Sequence, residues 1–262
     1  MNKVALVIGG SSGIGLSTVR NLINENYIVY NISRRKCFIK EVHSLQADVI
    51  KNEEFEDALN TVINEQGRID FLIYCAGWSM ASRIDQVKEE DYKYLFEVNF
   101  FGFLKSLTLV VPLMKKQNGG RIIVVSSMGG VVPIPFDGYY SASKSALNIL
   151  VKALNIELNK DEIYLTSVMP GGTRNHFTYK RKVYKNNSNN SDFYNAVVKL
   201  AKIEQKGRSN EQVANTIMKV LKRKYPPILT VSGLSNKLYY LMSKILPLGM
   251  VILFVKLKYN IK

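Results

Sequence analysis

At 262 residues the chain is long enough for one large α/β domain, and with 47% hydrophobic and 22% charged residues it has the makeup of a folded globule rather than a disordered segment. Two cysteines, Cys37 and Cys75, and two scattered histidines, His43 and His176, exclude a disulfide framework and a histidine metal centre. The net charge of +15 is carried by the last third, where residues 176–262 hold 17 Lys/Arg against 3 Asp/Glu, a net of +14, while residues 1–175 are nearly balanced.

The N-terminus enters an apolar run at Val4 and meets glycines by Gly9, too early for a secretory leader, so a reducing, cytoplasmic setting is expected. Apolar β-branched runs at 4–8, 28–32 and 71–74 alternate with helical patterns at 14–24 and 55–65. Further strands are expected at 122–125 and 163–168, separated by a long helix over 142–158. This alternation predicts an α/β fold: a doubly wound, parallel, Rossmann-like sheet in a single domain. After Gly172 the pattern changes. The polar tract 185–192 reads as a loop or lid, 211–223 as a helix stopped by Pro226-Pro227, 228–231 as a late strand, and 237–259 as an apolar tail with interspersed lysines. Residues 1–175 are therefore expected to form the cofactor-binding and catalytic core, and 176–262 a substrate lid and basic, apolar C-terminal region.

Between the first strand and first helix lies Gly9-Gly10-Ser11-Ser12-Gly13-Ile14-Gly15. Backbone amides at a helix N-terminus receive a pyrophosphate, and glycines let the ligand approach. The Gly-x-x-x-Gly-x-Gly spacing differs from the general dinucleotide fingerprint. About 20 residues beyond such a loop an acidic residue binds the ribose hydroxyl of NAD. This chain has Ser33-Arg34-Arg35 there, and two guanidiniums pair with a 2′-phosphate instead, so NADP(H) is the expected cofactor.

Tyr140 and Lys144 open the long helix at i and i+4 and so share one face. A free tyrosine is only about one part in a thousand ionised at neutral pH. A neighbouring ammonium favours the phenolate, which brings the group toward use as a general acid/base.

Residues 3–175 carry, in order, the Gly9–Gly15 loop, Asp48-Val49, Ala76-Gly77, Asn99 within Val98-Asn99-Phe100, Ser126-Ser127, Tyr140-x-x-x-Lys144 and Pro170-Gly171. With these pieces the chain resembles the short-chain dehydrogenase/reductase family. The resemblance implies hydride transfer between NADP(H) and a carbonyl/alcohol pair. In it Ser127 polarises the carbonyl, Tyr140 exchanges the proton, Lys144 holds the nicotinamide ribose and lowers the Tyr pKa, and Asn99 supports a relay water. It places the cofactor on Gly9, Ser11, Ser12, Gly13, Ile14, Gly15, Ser33, Arg34, Arg35, Asp48, Val49, Ala76, Gly77, Asn99, Tyr140, Lys144, Pro170, Gly171 and Thr173, with Thr173 and Asn175 as alternatives at the carboxamide. It also implies a homo-oligomer, dimer or tetramer. Two departures stand out: Ile8 replaces the usual Thr before the first glycine, and Tyr74-Cys75-Ala76-Gly77 replaces Asn-Asn-Ala-Gly, which predicts lost hydrogen bonds within the sheet and a stability effect.

Several positions have two readings. Trp78 either lines the substrate pocket or packs, Cys75 is a small core residue, and His176 is a surface loop residue. In the tail, Lys244 and Pro247 interrupt 238–258, and the uninterrupted 246–255 is too short to span a bilayer. Two alternatives follow: a segment lying on an anionic membrane surface, or a helical lid or subunit contact. Either makes the site's surroundings apolar, so a hydrophobic small molecule is expected, a hydroxysteroid first and a long-chain or acyl-lipid ketone second; 3-oxoacyl thioester reduction and a silent NADP-sensing protein are the rival readings. No nucleic-acid partner is expected.

Overall fold

A computed structural model describes residues 2–175, 177–184 and 191–261. The expectations for His176 and for residues 185–190 of the polar tract lie outside the described residues. Seven parallel strands form the main sheet: β1 (Val4–Ile8), β2 (Ile28–Ser33), β3 (Val42–Gln46), β4 (Phe71–Tyr74), β5 (Gly120–Val125), β6 (Ile163–Pro170) and β7 (Leu229–Ser232). Their spatial order is 7-6-5-4-1-2-3, so the direction of winding reverses between β1 and β4. Crevices at the carboxyl ends of strands flanking such a reversal are where doubly wound sheets bind ligands.

All five residues of β1 are buried, as expected for a strand covered on both faces. The two-residue side-chain period sorts them. Leu6 and Ile8 join Leu72, Tyr74 and Phe103 in the core on one side of the sheet, while Ala5 and Val7 join Leu22, Ile73, Val213 and Ile217 on the other. The helices are α1 (Gly13–Asn24), α2 (Asn52–Gln66), α3 (Glu89–Phe96), α4 (Gly102–Lys116), α5 (Gly138–Leu158), α6 (Ser191–Gln205), α7 (Asn210–Leu221), α8 (Leu234–Ile245) and α9 (Leu248–Tyr259). Local chemistry sets their ends: Gly67 closes α2 in the left-handed conformation at φ 63°, and Ser209 and Gln212 form a reciprocal capping box at the start of α7.

Residues beyond 175 also contribute to the main sheet and its cover. α7 buries Val213, Ala214 and Ile217 against the sheet, and β7 pairs with β6 from Leu229↔Ser167 to Ser232↔Pro170. Leu200 and Ala196 of α6 pack with Val251, Val255 and Tyr259 of α9 and with Val132 of the β5–α5 connection. The tail thus folds onto the enzyme through one face of α9, while α8 has no buried residue.

The losses expected at Ile8 and at Tyr74-Cys75 are offset by other side chains. Asn31, buried in β2, accepts from the Gly10 backbone N–H at 2.7 Å, and the Tyr74 hydroxyl donates to the Val98 carbonyl at 2.6 Å. Each satisfies a group that would otherwise be orphaned in the interior.

Candidate active site

The carboxyl ends of β1, β4, β5 and β6 open onto one cavity of about 320 Å³. The β1–α1 turn forms one part of its wall. Gly9 sits at φ +87°, and a Cβ there would lie 2.8 Å from the Ala76 backbone nitrogen, so only glycine lets the first and fourth strand turns meet. Ser11, Ser12 and Gly13 line the cavity where α1 begins, with amides and helix dipole available to a pyrophosphate. Arg34 and Arg35 follow β2. The Arg35 guanidinium donates to the Ser12 hydroxyl at 3.0 Å and that of Arg34 to the Tyr94 hydroxyl at 2.9 Å.

A third cation joins them: burial holds the Lys180 ammonium below the ordinary lysine range, followed by repulsion from Arg35 and Arg34. Sequence reasoning missed Lys180 because it returns from beyond β6. Every residue expected to hold the cofactor lines the cavity except Asn99; Thr173 and Asn175 both do so. The glycine cradle, the amides at the start of α1 and the trio of cations fit a phosphorylated dinucleotide.

Ser127, Tyr140 and Lys144, the expected catalytic residues, line the same cavity. Ser127 follows β5; its hydroxyl accepts from the Gly129 N–H at 3.0 Å, and it lines the cavity together with Tyr140. Ser126 instead turns its hydroxyl to the Lys144 carbonyl at 3.1 Å. Burial raises the Tyr140 phenol above its ordinary value; the Ser127 hydrogen bond opposes this, and the negative charge of Asp137 adds to it. The Lys144 ammonium donates to the Val125 carbonyl at 3.0 Å and stands 5.7 Å from the centre of the Tyr140 ring. Burial lowers the Lys144 ammonium to about 8.

Asn99 stands behind the cavity wall. It lies in a π-helical turn, Glu97–Phe101, of the kind that often marks functional sites. Its amide is committed on both sides: the oxygen accepts from the Trp78 N–H at 2.7 Å, and the nitrogen donates to the Trp78 carbonyl at 2.9 Å and the Ser143 hydroxyl at 3.0 Å. Through these bonds it positions the β4 turn and the helix that carries Tyr140. Trp78 does not line the cavity but packs edge-on against Tyr94 at 5.1 Å. Cys75 lines the cavity in part, with its thiol pushed up to about 12 by burial.

The model of the short chain dehydrogenase family matches residues 3–185. The chain is 34% identical to a 3-ketodihydrosphingosine reductase of Bacteroides thetaiotaomicron, covering 88% of each. It is 28% identical to a probable short-chain type dehydrogenase/reductase of Helicobacter pylori over 93% of each, and 29% identical to an 11-beta-hydroxysteroid dehydrogenase of Sesamum indicum over 67% of this chain and 54% of that one. A Streptomyces avermitilis short-chain dehydrogenase structure superposes with a TM-score of 0.84 at 23% identity, covering 98% of this chain and 95% of that one. A Burkholderia cenocepacia short chain dehydrogenase in complex with NADP superposes with a TM-score of 0.74 at 22% identity, covering 93% of each.

Proposed function

The chain belongs to the short-chain dehydrogenase family, nicotinamide-dependent oxidoreductases of the CH–OH/carbonyl couple, and from that premise we propose that it reduces a hydrophobic lipid ketone with NADPH. The observation that carries this reading is the convergence of Ser127, Tyr140 and Lys144 on one cavity whose remaining wall includes Val132, Ile134, Leu200, Ile203 and Tyr259. These apolar side chains lie beside the polar groups, as in sites for lipophilic small molecules.

A bound nicotinamide supplies the hydride. The Ser127 hydroxyl polarises the substrate carbonyl, and the Tyr140 phenol, held protonated by burial, gives its proton to the developing alkoxide. Lys144 at the base of the wall orients the ribose side of the cofactor. NADP(H) is favoured because Arg34, Arg35 and Lys180 gather beside Ser12, where a 2′-phosphate finds three cations, whereas the nearest carboxylate, Asp48, is 4.0 Å from Arg34. Of the two substrate classes expected from sequence, the long-chain ketone now leads: the reductase of a keto sphingoid base matches along most of both chains, the steroid enzyme over barely half of its length.

A NADPH-oxidation screen across long-chain, steroid and retinoid ketones tests the reading. Turnover of a long-chain ketone is expected, and failure of every lipid ketone with either nicotinamide would overturn it. We further infer a cytoplasmic enzyme resting on an anionic membrane surface. This rests on α8, whose Asn236 and Tyr239 line the cavity while Leu238, Leu241 and Ile245 face outward among Lys237 and Lys244.

A further inference from the structure

Some charged groups of the active-site cavity lie outside the cofactor and expected catalytic sets, and these answer one another. Arg181 takes Glu204 in a bidentate pair at 2.5 and 3.2 Å, donates to the Ser79 hydroxyl at 2.9 Å and stands 3.9 Å from Asp137. Two other guanidiniums are not matched in this way. Arg20 and Arg174 line a second cavity of about 330 Å³, and neither side chain makes an ion pair or a hydrogen bond among the described residues. The second cavity shares only Ser11, Ser12 and Gly13 with the first.

Local structure builds this second cavity. Gly13, Leu16, Ser17 and Arg20 recur at i, i+3, i+4 and i+7, so they form one stripe of α1. Opposite lies the start of α7, and the Asn21 amide of α1 donates to the Asn215 side-chain oxygen of α7 at 2.9 Å. Residues 173–174 pair in parallel with 208–209, which sets Arg174 against Ser209, the N-cap of α7. The first amides of a helix lack an intrahelical partner and carry the positive end of its dipole. The cavity is therefore bordered by two cations and a positive helix end.

Ser17 adds a buried group without a partner. It is 8% exposed and lines the cavity, and its hydroxyl makes no hydrogen bond among the described residues. A serine or threonine inside a helix can turn its hydroxyl to the carbonyl one turn back, as Thr18 does to Ile14 at 2.9 Å. Ser17 does not, and buried polar groups are kept where something else completes them. We propose that this cavity is a second anion site, which binds a phosphate group, free or as a small monoester, between Arg20 and Arg174 with the Ser17 hydroxyl donating to it. Guanidinium pairs with phosphate are bidentate and charge-assisted. The Glu211 carboxylate, in the first turn of α7, also lines the cavity and opposes an anion, but against two guanidiniums it leaves the wall net positive. The inference goes beyond the reductase reading, since Arg20, Arg174 and Ser17 take no part in the proposed hydride transfer.

The test is calorimetry on the full-length protein, saturated with NADP+ so that the cofactor's own phosphate contacts are filled. Inorganic phosphate, glycerol phosphate and sodium chloride are titrated at matched ionic strength and pH 7.5. Inorganic phosphate or glycerol phosphate is expected to bind saturably, with a dissociation constant of about 1 mM or tighter, and chloride is not. Tighter binding of glycerol phosphate assigns the site to a monoester, and tighter binding of inorganic phosphate assigns it to the free ion. The double variant Arg20→Gln/Arg174→Gln should weaken this binding at least about tenfold, the factor that corresponds to about 1.4 kcal/mol. Glu211→Gln should tighten it about threefold by removing a like charge. Absence of saturable binding of either phosphate in the unmutated protein overturns the proposal, whether or not the variants fold. So does binding that the arginine variant leaves unchanged, or that Glu211→Gln fails to tighten, since the anion would then lie elsewhere. Failure of every lipid ketone to be reduced would remove the reductase reading and leave this site standing.

Discussion

The Arg35 guanidinium donates to the Ser12 hydroxyl at 3.0 Å, so the cation that follows the second strand is tied to the turn that cradles the pyrophosphate. On the proposed NADP(H) reading, binding a 2′-phosphate and fixing the glycine loop become one event. Arg35→Asp removes a phosphate partner and adds repulsion, and a charge-assisted hydrogen bond is worth about 1.5–3 kcal/mol. The KM for NADPH is expected to rise about 10–100-fold with that for NADH little changed. Steady-state kinetics with both cofactors check this, and comparable kcat/KM for NADH and NADPH in the unmutated enzyme would refute the NADP assignment.

Tyr140→Phe keeps the ring and removes the transferable proton. Turnover should fall below a few per cent of the unmutated enzyme, in line with the roughly 10²–10⁴-fold contribution of general acid catalysis. NADPH affinity, read by nicotinamide fluorescence, should stay within about twofold, since the phenol adds no more than one hydrogen bond to the cofactor. Retained turnover would mean that another group supplies the proton.

The strands and the residues gathered at the candidate site were legible because their signals are local. The run Val4–Ile8 announces a buried strand within five residues, and Tyr140 and Lys144 meet because one helical turn separates them. The Asp137, Arg181 and Glu204 grouping has no such period. Arg181 reaches Ser79 across 102 positions and Glu204 across 23, from elements that meet only in the folded chain. Asn31 was equally hidden: a polar residue in a buried strand reads as a defect until its partner, 21 positions away, is known. The Val125 carbonyl that accepts from the Lys144 ammonium at 3.0 Å was likewise hidden, since it comes from a strand 19 positions away.

Asn31 holds the Gly10 N–H and also donates to the Ser33 and Ser44 hydroxyls at 2.9 and 3.2 Å. Asn31→Leu leaves that amide buried and unpaired, at a cost of about 1–3 kcal/mol. Denaturant melts should show a loss of at least about 1 kcal/mol, with weaker NADPH binding because the loop loses its anchor. Unchanged stability would show that the amide finds another acceptor.

The pH dependence of stability has a defined sign at Asp137. Its native carboxyl keeps the proton up to about 7, because of burial first and Glu204 next, with Arg181 and Ser79 opposing. An unfolded aspartate releases its proton near about 3.9. Between these values the native state binds more protons, so this group's contribution is fully present below about 4 and is lost as pH rises through 7. Tyr140 and Tyr259 also feel this charge, but both phenols stay protonated across that window, held high by burial. Thermal melts at pH 5 and pH 8 should show the unmutated protein losing stability relative to Asp137→Asn; parallel curves would mean that Asp137 is ionised throughout.

The outward face of α8 carries Leu234, Leu238, Leu241 and Ile245 at helical spacing, and α9 adds Leu248, Leu253 and Leu257, all exposed. An apolar surface on two neighbouring helices needs a cover. The basic balance of the last third, with exposed Lys237, Lys244 and Lys256 beside this face, suits an anionic lipid surface. Each such lysine contributes about 1 kcal/mol near that surface, a gain that salt screens over about 10 Å at 0.1 M. The other face of α8 supplies Asn236 and Tyr239 to the cavity wall, so a ketone lipid would pass from the bilayer into the site along one helix. Vesicles of phosphatidylcholine with and without phosphatidylglycerol should therefore pellet the protein only when the anionic lipid is present, and release it in high salt. Replacing Leu238, Leu241 and Ile245 by Gln should abolish pelleting while leaving turnover of a short, water-soluble ketone intact. Failure to bind anionic vesicles at low salt would leave the face to a second copy of the chain, and binding that resists high salt and yields only to detergent would mean deep insertion rather than a surface contact.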